Sequence, residues 1–316
     1  MVVPLEEIRH PGTPALPGAS DNATRRVPEV STERVSPERA TVLCVAGAEL
    51  GEEAELAEVA ARLGGEVVAA ALGTGAAVDV KGAGDYVTEV DRRSEHAVAS
   101  FLEGATGVPV VGEERGGEAG ERYWLVDPLD GTTNFVHGFW AVGVSVALVE
   151  GGRPTAGAVH APFLGQTWTG ASGRGAWGTR GEGAGRVRLA VSERPIERAV
   201  VGTGFPFRRK ELLGRYLRVF REALERFEDL RRPGAAALDL AWVAAGVFEG
   251  FFELALSPWD VGAGALLIQE AGGVVTDWAG GDGWMAGDVL AGSPGVHGEL
   301  LRLAAEGAEG ASPPTR

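Results

Sequence analysis

A chain of 316 residues with 45% apolar content can build a substantial core in about two domains, and its formal charge of −15 excludes a general nucleic-acid binder, because phosphate backbones reward clustered Lys and Arg. That acidity leaves phosphorylated small molecules open, since bound divalent cations invert the local field. Cys44 is the only cysteine, which excludes an intrachain disulfide and a Cys-rich metal site, and the start Met1-Val2-Val3-Pro4-Leu5-Glu6-Glu7 lacks the basic and apolar regions of a signal peptide. No uncharged apolar run approaches the ~18 residues of a membrane span, so the expectation is a soluble, cytoplasmic protein without membrane partners.

Residues 1 to about 40 carry Pro4, Pro11, Pro14, Pro17, Pro28 and Pro37 among Ser, Thr and mixed charges, the composition of a disordered extension or of an overextended start. From Glu49 the texture changes. Leu56, Val59, Ala60, Leu63, Val67 and Ala71 recur at three- and four-residue steps and predict an amphipathic helix, weakened by Gly64 and Gly65. A second helix is expected from near Asp91 through Val98 and Leu102. Short β-rich runs follow at Val108 to Val111, Tyr123 to Val126, Ala141 to Val149 and Ala156 to His160, the last two joined by a turn at Gly151-Gly152-Arg153-Pro154. Beyond about Ser192 strand and helix alternate. Val200-Val201 reads as strand, Glu211 to Arg226 and Ala236 to Val247 as helices, and Phe251 to Leu256 as strand. A further helix runs from Asp260 to Ala271, stops at Gly272-Gly273, and gives way to a strand at Val274-Val275-Thr276. The fold class is α/β, an α+β first half and an α/β second half, arranged as two domains or a layered sandwich. No internal repeat of about 20 to 50 residues is visible.

The most informative string is Trp124-Leu125-Val126-Asp127-Pro128-Leu129-Asp130-Gly131-Thr132-Thr133-Asn134-Phe135. An apolar strand runs into two carboxylates three residues apart, and Pro128 fixes its own φ and restricts Asp127, turning the chain. Such a turn brings Asp127, Asp130 and the Leu129 carbonyl toward one point. Two ionised carboxylates that close repel unless a cation neutralises them, and an oxygen-only site suits magnesium. The alternative is an Asp-rich turn that only caps the helix or loop after it. Val110-Val111-Gly112-Glu113-Glu114 ends in acids, so either Glu113 or Glu114 is a candidate ligand or a solvated turn. Asp260, in Ser257-Pro258-Trp259-Asp260, is a ligand or a helix N-cap. Lys81, Asp85, Thr88 and Asp91 share one segment, where Asp91 serves chemistry or caps the helix beginning there. Each signal is ambiguous alone; their joint order is not.

The strings GDYVTEVD, VVGEE, WLVDPLDGTTNFVHG and SPWDVGAGALLIQEAGG resemble the successive signatures of the inositol monophosphatase family, within the lithium-sensitive, magnesium-dependent phosphatases. The likeness spans roughly Glu49 to Leu303. It implies a layered αβαβα sandwich, a homodimer, Mg2+ as cofactor and lithium inhibition. It also implies a metal-binding α+β half over 49–190 and an α/β half over 191–308 that completes the site, with an extension over 1–48 and a flexible tail over 309–316. Carried over by position, Glu113, Asp127 and the Leu129 carbonyl match a first metal site. Asp127, Asp130 and Asp260 match a second, and Glu113 a weaker third. Thr132 matches the hydroxyl that positions and deprotonates the attacking water, and Asp91 its carboxylate partner; Glu113 completes the expected catalytic set. Gly131 and Thr132 offer backbone N–H donors to phosphate, and Lys81 falls near the active-site loop. His137 reads as structural rather than as a general base.

For the substrate, Glu253 matches the glutamate that binds inositol hydroxyls, and Gly234 to Ala237 match the loop whose backbone approaches the ring. Gly131, Thr132, Gly234, Ala236, Glu253 and Asp260 are therefore the expected substrate contacts. Relatives usually carry Ser or Thr where this chain has Ala235. Thr203-Gly204-Phe205-Pro206-Phe207 resembles the bacterial branch, and Arg231-Arg232 either binds an anion or lies at an interface. The leading expectation is Mg2+-dependent hydrolysis of inositol monophosphate by activated water. The same chemistry on histidinol phosphate, fructose 1,6-bisphosphate or a 3′-phosphoadenosine nucleotide stays open, as does a non-catalytic regulatory protein on this fold.

Overall fold

The structure is a computed structural model that describes residues 50–72, 78–82, 85–181 and 185–309. The extension expected over 1–48 and all but the first residue of the tail expected over 309–316 lie outside them. In chain order the first elements are α1 (Glu52–Ala71), β1 (Val78–Gly82), β2 (Asp85–Thr88), α2 (Glu89–Thr106), β3 (Val110–Gly112), β4 (Arg122–Asp130) and α3 (Thr132–Val136). Five strands follow: β5 (Gly143–Glu150), β6 (Arg153–Ala161), β7 (Gln166–Ala171), β8 (Gly175–Arg180) and β9 (Val187–Arg188). The remaining elements are β10 (Val200–Thr203), α4 (Leu213–Arg226), β11 (Asp229–Arg231), α5 (Ala236–Ala244), β12 (Gly250–Glu253), α6 (Pro258–Glu270), β13 (Val274–Thr276), β14 (Val289–Gly292) and α7 (Pro294–Glu309).

Strand β4 shows why the layers form. Its apolar run has no polar face, because Trp124 and Val126 enter one core while Tyr123 and Leu125 enter another on the opposite side. A strand buried on both faces needs a helical layer on each. The seven-stranded sheet, ordered β3-β4-β5-β6-β7-β8-β9, is antiparallel except for the β3–β4 pair. Helices α1 and α2 cover one face, and α5 and α6 the other. The far side of α5 and α6 meets the five-stranded sheet β11-β10-β12-β14-β13, whose outer face is covered by α4 and α7. The order is α, β, α, β, α, the layered sandwich expected.

Several local expectations need correction. Helix α1 buries Ala54, Ala57, Ala60, Ala61, Gly64, Gly65 and Val68, whereas Leu56, Val59 and Leu63 of the expected stripe are only half-buried. The glycines do not weaken it; they are its contact surface. A Cβ on Gly65 would lie 2.3 Å from His160 Cδ2, and one on Gly64 2.8 Å from Ser94 Oγ. Helix α2 starts at Glu89, capped by Thr88, so Asp91 is not its N-cap but its third residue. Helix α6 starts at Pro258 with Ser257 as cap, which puts Asp260 in its first turn for the same reason. Helix α5 ends at Ala244, short of Val247, and strand β12 ends at Glu253, short of Leu256. Arg153 and Pro154 belong to β6, not to the turn before it. The β1–β2 hairpin, β7 to β9, β14 and α7 had no counterpart in the sequence reading.

Candidate active site

The site begins at a fault in β4. Asp127 pairs with Ser145 and Asp130 with Gly143, so β4 advances one residue more than β5 over the same stretch, a bulge. Pro128 has no N–H to give the ladder, which makes it the place where pairing breaks. Three bonds fix the distortion. Leu129 N–H donates to Asp127 Oδ1 at 3.0 Å, Ser94 of α2 donates to the Pro128 carbonyl at 2.8 Å, and Ala237 N–H of α5 donates to Asp130 Oδ2 at 2.7 Å. Gly131 then turns at φ 88°, with Ala141 O only 2.9 Å from where a Cβ would sit. That conformation and that clash both restrict the position to glycine.

The other acids arrive from separate segments. Glu113 follows β3, which lies parallel beside β4. The buried Glu95 of α2 holds that turn by accepting the N–H groups of Glu114 and Arg115 at 2.9 and 2.7 Å. Asp260 Oδ2 accepts Ser257 N–H at 2.8 Å, so the cap of α6 also aims its carboxylate. Asp91 works in the same double way. Its Oδ2 accepts Thr88 N–H at 2.8 Å and Thr88 Oγ1–H at 2.6 Å, while its Oδ1 lies 3.1 Å from Thr132 Oγ1. Thr132 Oγ1 is also 3.1 Å from the Leu129 carbonyl.

One cavity of about 510 Å³ receives Glu113, Asp127, Leu129, Asp130, Gly131 and Thr132 from one side and Gly234, Ala236, Glu253 and Asp260 from the other. Asp91 reaches it through Thr132 rather than lining it. Glu114 faces a different groove, which leaves Glu113 as the acid of that pair at the cavity. Ala235 is buried beneath the loop, and His137 is exposed outside the cavity lining. Asp85 and Lys81 lie in β2 and β1, with side chains outside the described ones.

The electrostatics are those of acids crowded away from water. Burial, then repulsion from Glu113, Asp130 and Asp260, pushes the Asp127 carboxyl well above the usual range. Burial and Asp260 do the same to Asp130 against the opposing Ala237 and Ala236 N–H groups. Asp260 is raised by burial, with the Ser257 N–H and a hydrogen bond with the Asp127 carboxyl opposing. Burial, then Asp260 and Asp130, pushes Glu253 up to about 8 while Arg232 and Arg208 oppose. Burial also raises Asp91, opposed by Thr88 and Thr132. Carboxyls crowded in this way are relieved by a divalent cation, which takes the place of the protons they would otherwise hold. The donors are oxygen only, which fits a hard ion such as Mg2+. Among the described residues, no three His, Cys, Asp or Glu side chains already stand as a preformed cation cage.

Two features escaped the sequence reading. Gly204 admits the Glu253 carboxylate against its Cα, where a Cβ would lie 2.0 Å from Oε1. The outer wall is aromatic and basic, with Phe205, Phe207, Arg208, Arg209 and Arg232. Its signals in the sequence were the string Thr203-Gly204-Phe205-Pro206-Phe207 and the adjacent pair Arg231-Arg232.

Comparison with known proteins agrees with this fold. The model of the inositol monophosphatase family matches residues 49–309. A Nus factor SuhB from Pseudomonas aeruginosa is 43% identical over 234 residues, covering 71% of this chain and 84% of the relative. A fructose-1,6-bisphosphatase/inositol-1-monophosphatase from Aquifex aeolicus is 38% identical over 255 residues, covering 79% and 94%. The crystal structure of the extragenic suppressor protein suhB from Bartonella henselae superposes with a TM-score of 0.73 at 34% identity, over 85% of this chain and 99% of that one.

Proposed function

The chain belongs to the inositol monophosphatase family, and from that premise we propose that it is a Mg2+-dependent phosphatase acting on a small polyol phosphate monoester, with inositol monophosphate the leading substrate. One observation carries the reading: Glu113, Asp127, Asp130 and Asp260, from three separate chain segments, face a single cavity beside Thr132. Side chains that repel one another this strongly have no use in a scaffold.

Glu113, Asp127, Asp130, Asp260 and the Leu129 carbonyl would hold the metal, which supplies positive charge to the phosphate and lowers the pKa of a water. Thr132 Oγ1 would take a proton from the attacking water as it passes its own to Asp91 Oδ1, 3.1 Å away. Burial makes Asp91 a better proton acceptor than an exposed aspartate. Gly131 and Thr132 line the cavity, and their backbone N–H groups would serve as donors to phosphate oxygens there. Glu253 accepts substrate hydroxyls, with Gly234 and Ala236 beside the ring. A homodimer is the assembly proposed, in keeping with the exposed Phe139 and Trp140 at 5.3 Å from each other.

A Nus-factor role is the second reading, favoured by the name of the Pseudomonas aeruginosa relative. Phosphate release from inositol monophosphate, histidinol phosphate, fructose 1,6-bisphosphate and a 3′-phosphoadenosine nucleotide, each with and without Mg2+, separates the two. Turnover that needs Mg2+ and is fastest on inositol monophosphate is expected. No Mg2+-dependent release from any of the four sinks the enzyme reading.

A further inference from the structure

Of the four acids that would hold the metal, Asp127 and Asp130 lie in β4 and Asp260 in α6, whereas Glu113 stands in the turn after β3. A turn places a side chain less firmly than a strand or helix does, so this ligand needs a support from elsewhere. Gly112 and Gly116 close the turn, each donating its N–H to the other's carbonyl at 3.1 Å. The buried Glu95 carboxylate fills the ring so formed. A Cβ on Gly112 would lie 2.0 Å from Glu95 Oε1, and the N–H groups of Glu114 and Arg115, the two that follow Glu113, both donate to that carboxylate. On its other side, Glu113 N–H donates to the Val126 carbonyl of β4 at 3.3 Å. Glu95 also belongs to a larger bracket. Asp91, Ser94 and Glu95 share one face of α2 at i, i+3 and i+4, and they reach Thr132, the Pro128 carbonyl and the turn of Glu113. One helix thus sets three pieces of the cavity against one another.

We propose that Glu95 is a positioning residue for the metal: by filling the turn after β3 it holds Glu113 beside the acids of β4, and so sets how tightly the site takes a divalent cation. This rests on the metal-dependent reading above, in which Glu113 is a ligand. Glu95 touches neither metal nor substrate and acts through Glu113 alone. Supports of this kind behind a ligand are worth about ten- to a hundredfold in metal affinity. The opposite possibility is that Glu95 only satisfies two N–H groups of a surface turn, in which case its loss lowers stability and leaves metal binding as it was.

Calorimetric titration of the metal-free protein with Mn2+ tests this without turnover, each variant being titrated well below its own melting transition. Glu95→Gln keeps the volume but presents an NH2 to one of the two N–H donors, and is expected to weaken Mn2+ binding by about ten- to a hundredfold. Gly112→Ala alters no side chain at the cavity, and the three atoms nearest its added methyl all belong to Glu95. It is expected to weaken Mn2+ by a similar factor in the wild type, and by less than about twofold in Glu95→Ala, where no carboxylate is left to expel. Glu103→Gln, which removes only the exposed ion pair of Arg115 with α2 at 3.0 Å, is expected to leave the affinity unchanged. Wild-type affinity in a folded Glu95→Gln protein, additive losses from Gly112→Ala and Glu95→Ala, or an equal loss in Glu103→Gln overturns the positioning role and leaves the metal site standing. A wild type that binds no Mn2+ overturns the metal reading and the proposal with it. Mn2+ affinity that depends on Glu95, without phosphate release from any substrate, sustains the proposal and removes the phosphatase.

Discussion

Asp130 lines the cavity while its Oδ2 accepts Ala237 N–H at 2.7 Å. Asp130→Asn keeps an acceptor for that N–H but removes a charge. Turnover is expected to fall at least about a hundredfold, while the melting temperature of the metal-free protein holds or rises because repulsion is relieved. Near-normal turnover in the folded variant would contradict the ligand role. Glu253 adds a pH signature. Its carboxyl is pushed up to about 8 in the fold by burial and by Asp260 and Asp130. A raised carboxyl holds its proton in the native state, so its stabilising effect is full below about pH 4.3, the unfolded value, and is lost as pH rises through 8. The melting temperature of the metal-free protein is therefore expected to drop between pH 5.5 and 8, and to drop less in Glu253→Gln. An equal drop in both proteins counts against the burial of that charge. The acids at the cavity were legible through their joint order along the chain, since each string alone also suits a turn or a helix cap. Arg232 was legible only as half of an ambiguous basic pair, because its place over Phe205 and Phe207 joins residues far off in sequence and close in space.

At the scale of elements, α1 shows where periodicity misleads. The expected stripe is buried at Ala60, Val67 and Ala71 but not at Leu56, Val59 and Leu63, and most of the remaining buried surface is Ala and Gly, because α1 lies close on β5 and β6. Gly65→Ala drives a methyl into the buried His160 ring and is expected to destabilise by about 1–3 kcal/mol in a denaturation experiment. Gly104→Ala in α2, with open space around it, is expected to stabilise by roughly 0.5–1 kcal/mol. If both changes had the same sign, the close-contact account of α1 would fail. Helix starts were misplaced by two residues at Asp91 and Asp260 for a shared reason. In each case the sequence shows a carboxylate before an apolar run, and the cap is the Thr88 or Ser257 upstream that the carboxylate binds. The same hydrogen bonds that start the helices aim the acids, so capping and chemistry are not rival roles here. Strands β7 to β9 were missed because Thr, Gly and Trp alternate there without a clear apolar face.

For the whole molecule, the layered order positions the cavity where the bulged end of β4 meets the first turns of α5 and α6 and the end of β12. No single layer owns the site. Fold class was readable from the change in texture near residue 190, yet the layer order came only with the family likeness, because periodicity does not say which face a helix covers. The acids converge because the ends of β3 and β4 lie side by side and the first turn of α6 brings Asp260 to them. The most direct test of that convergence is an anomalous-scattering map from crystals soaked in Mn2+. Peaks bounded by Glu113, Asp127, Asp130 and Asp260 are predicted. A map with no peak there, at a Mn2+ concentration that supports phosphate release, would contradict the account.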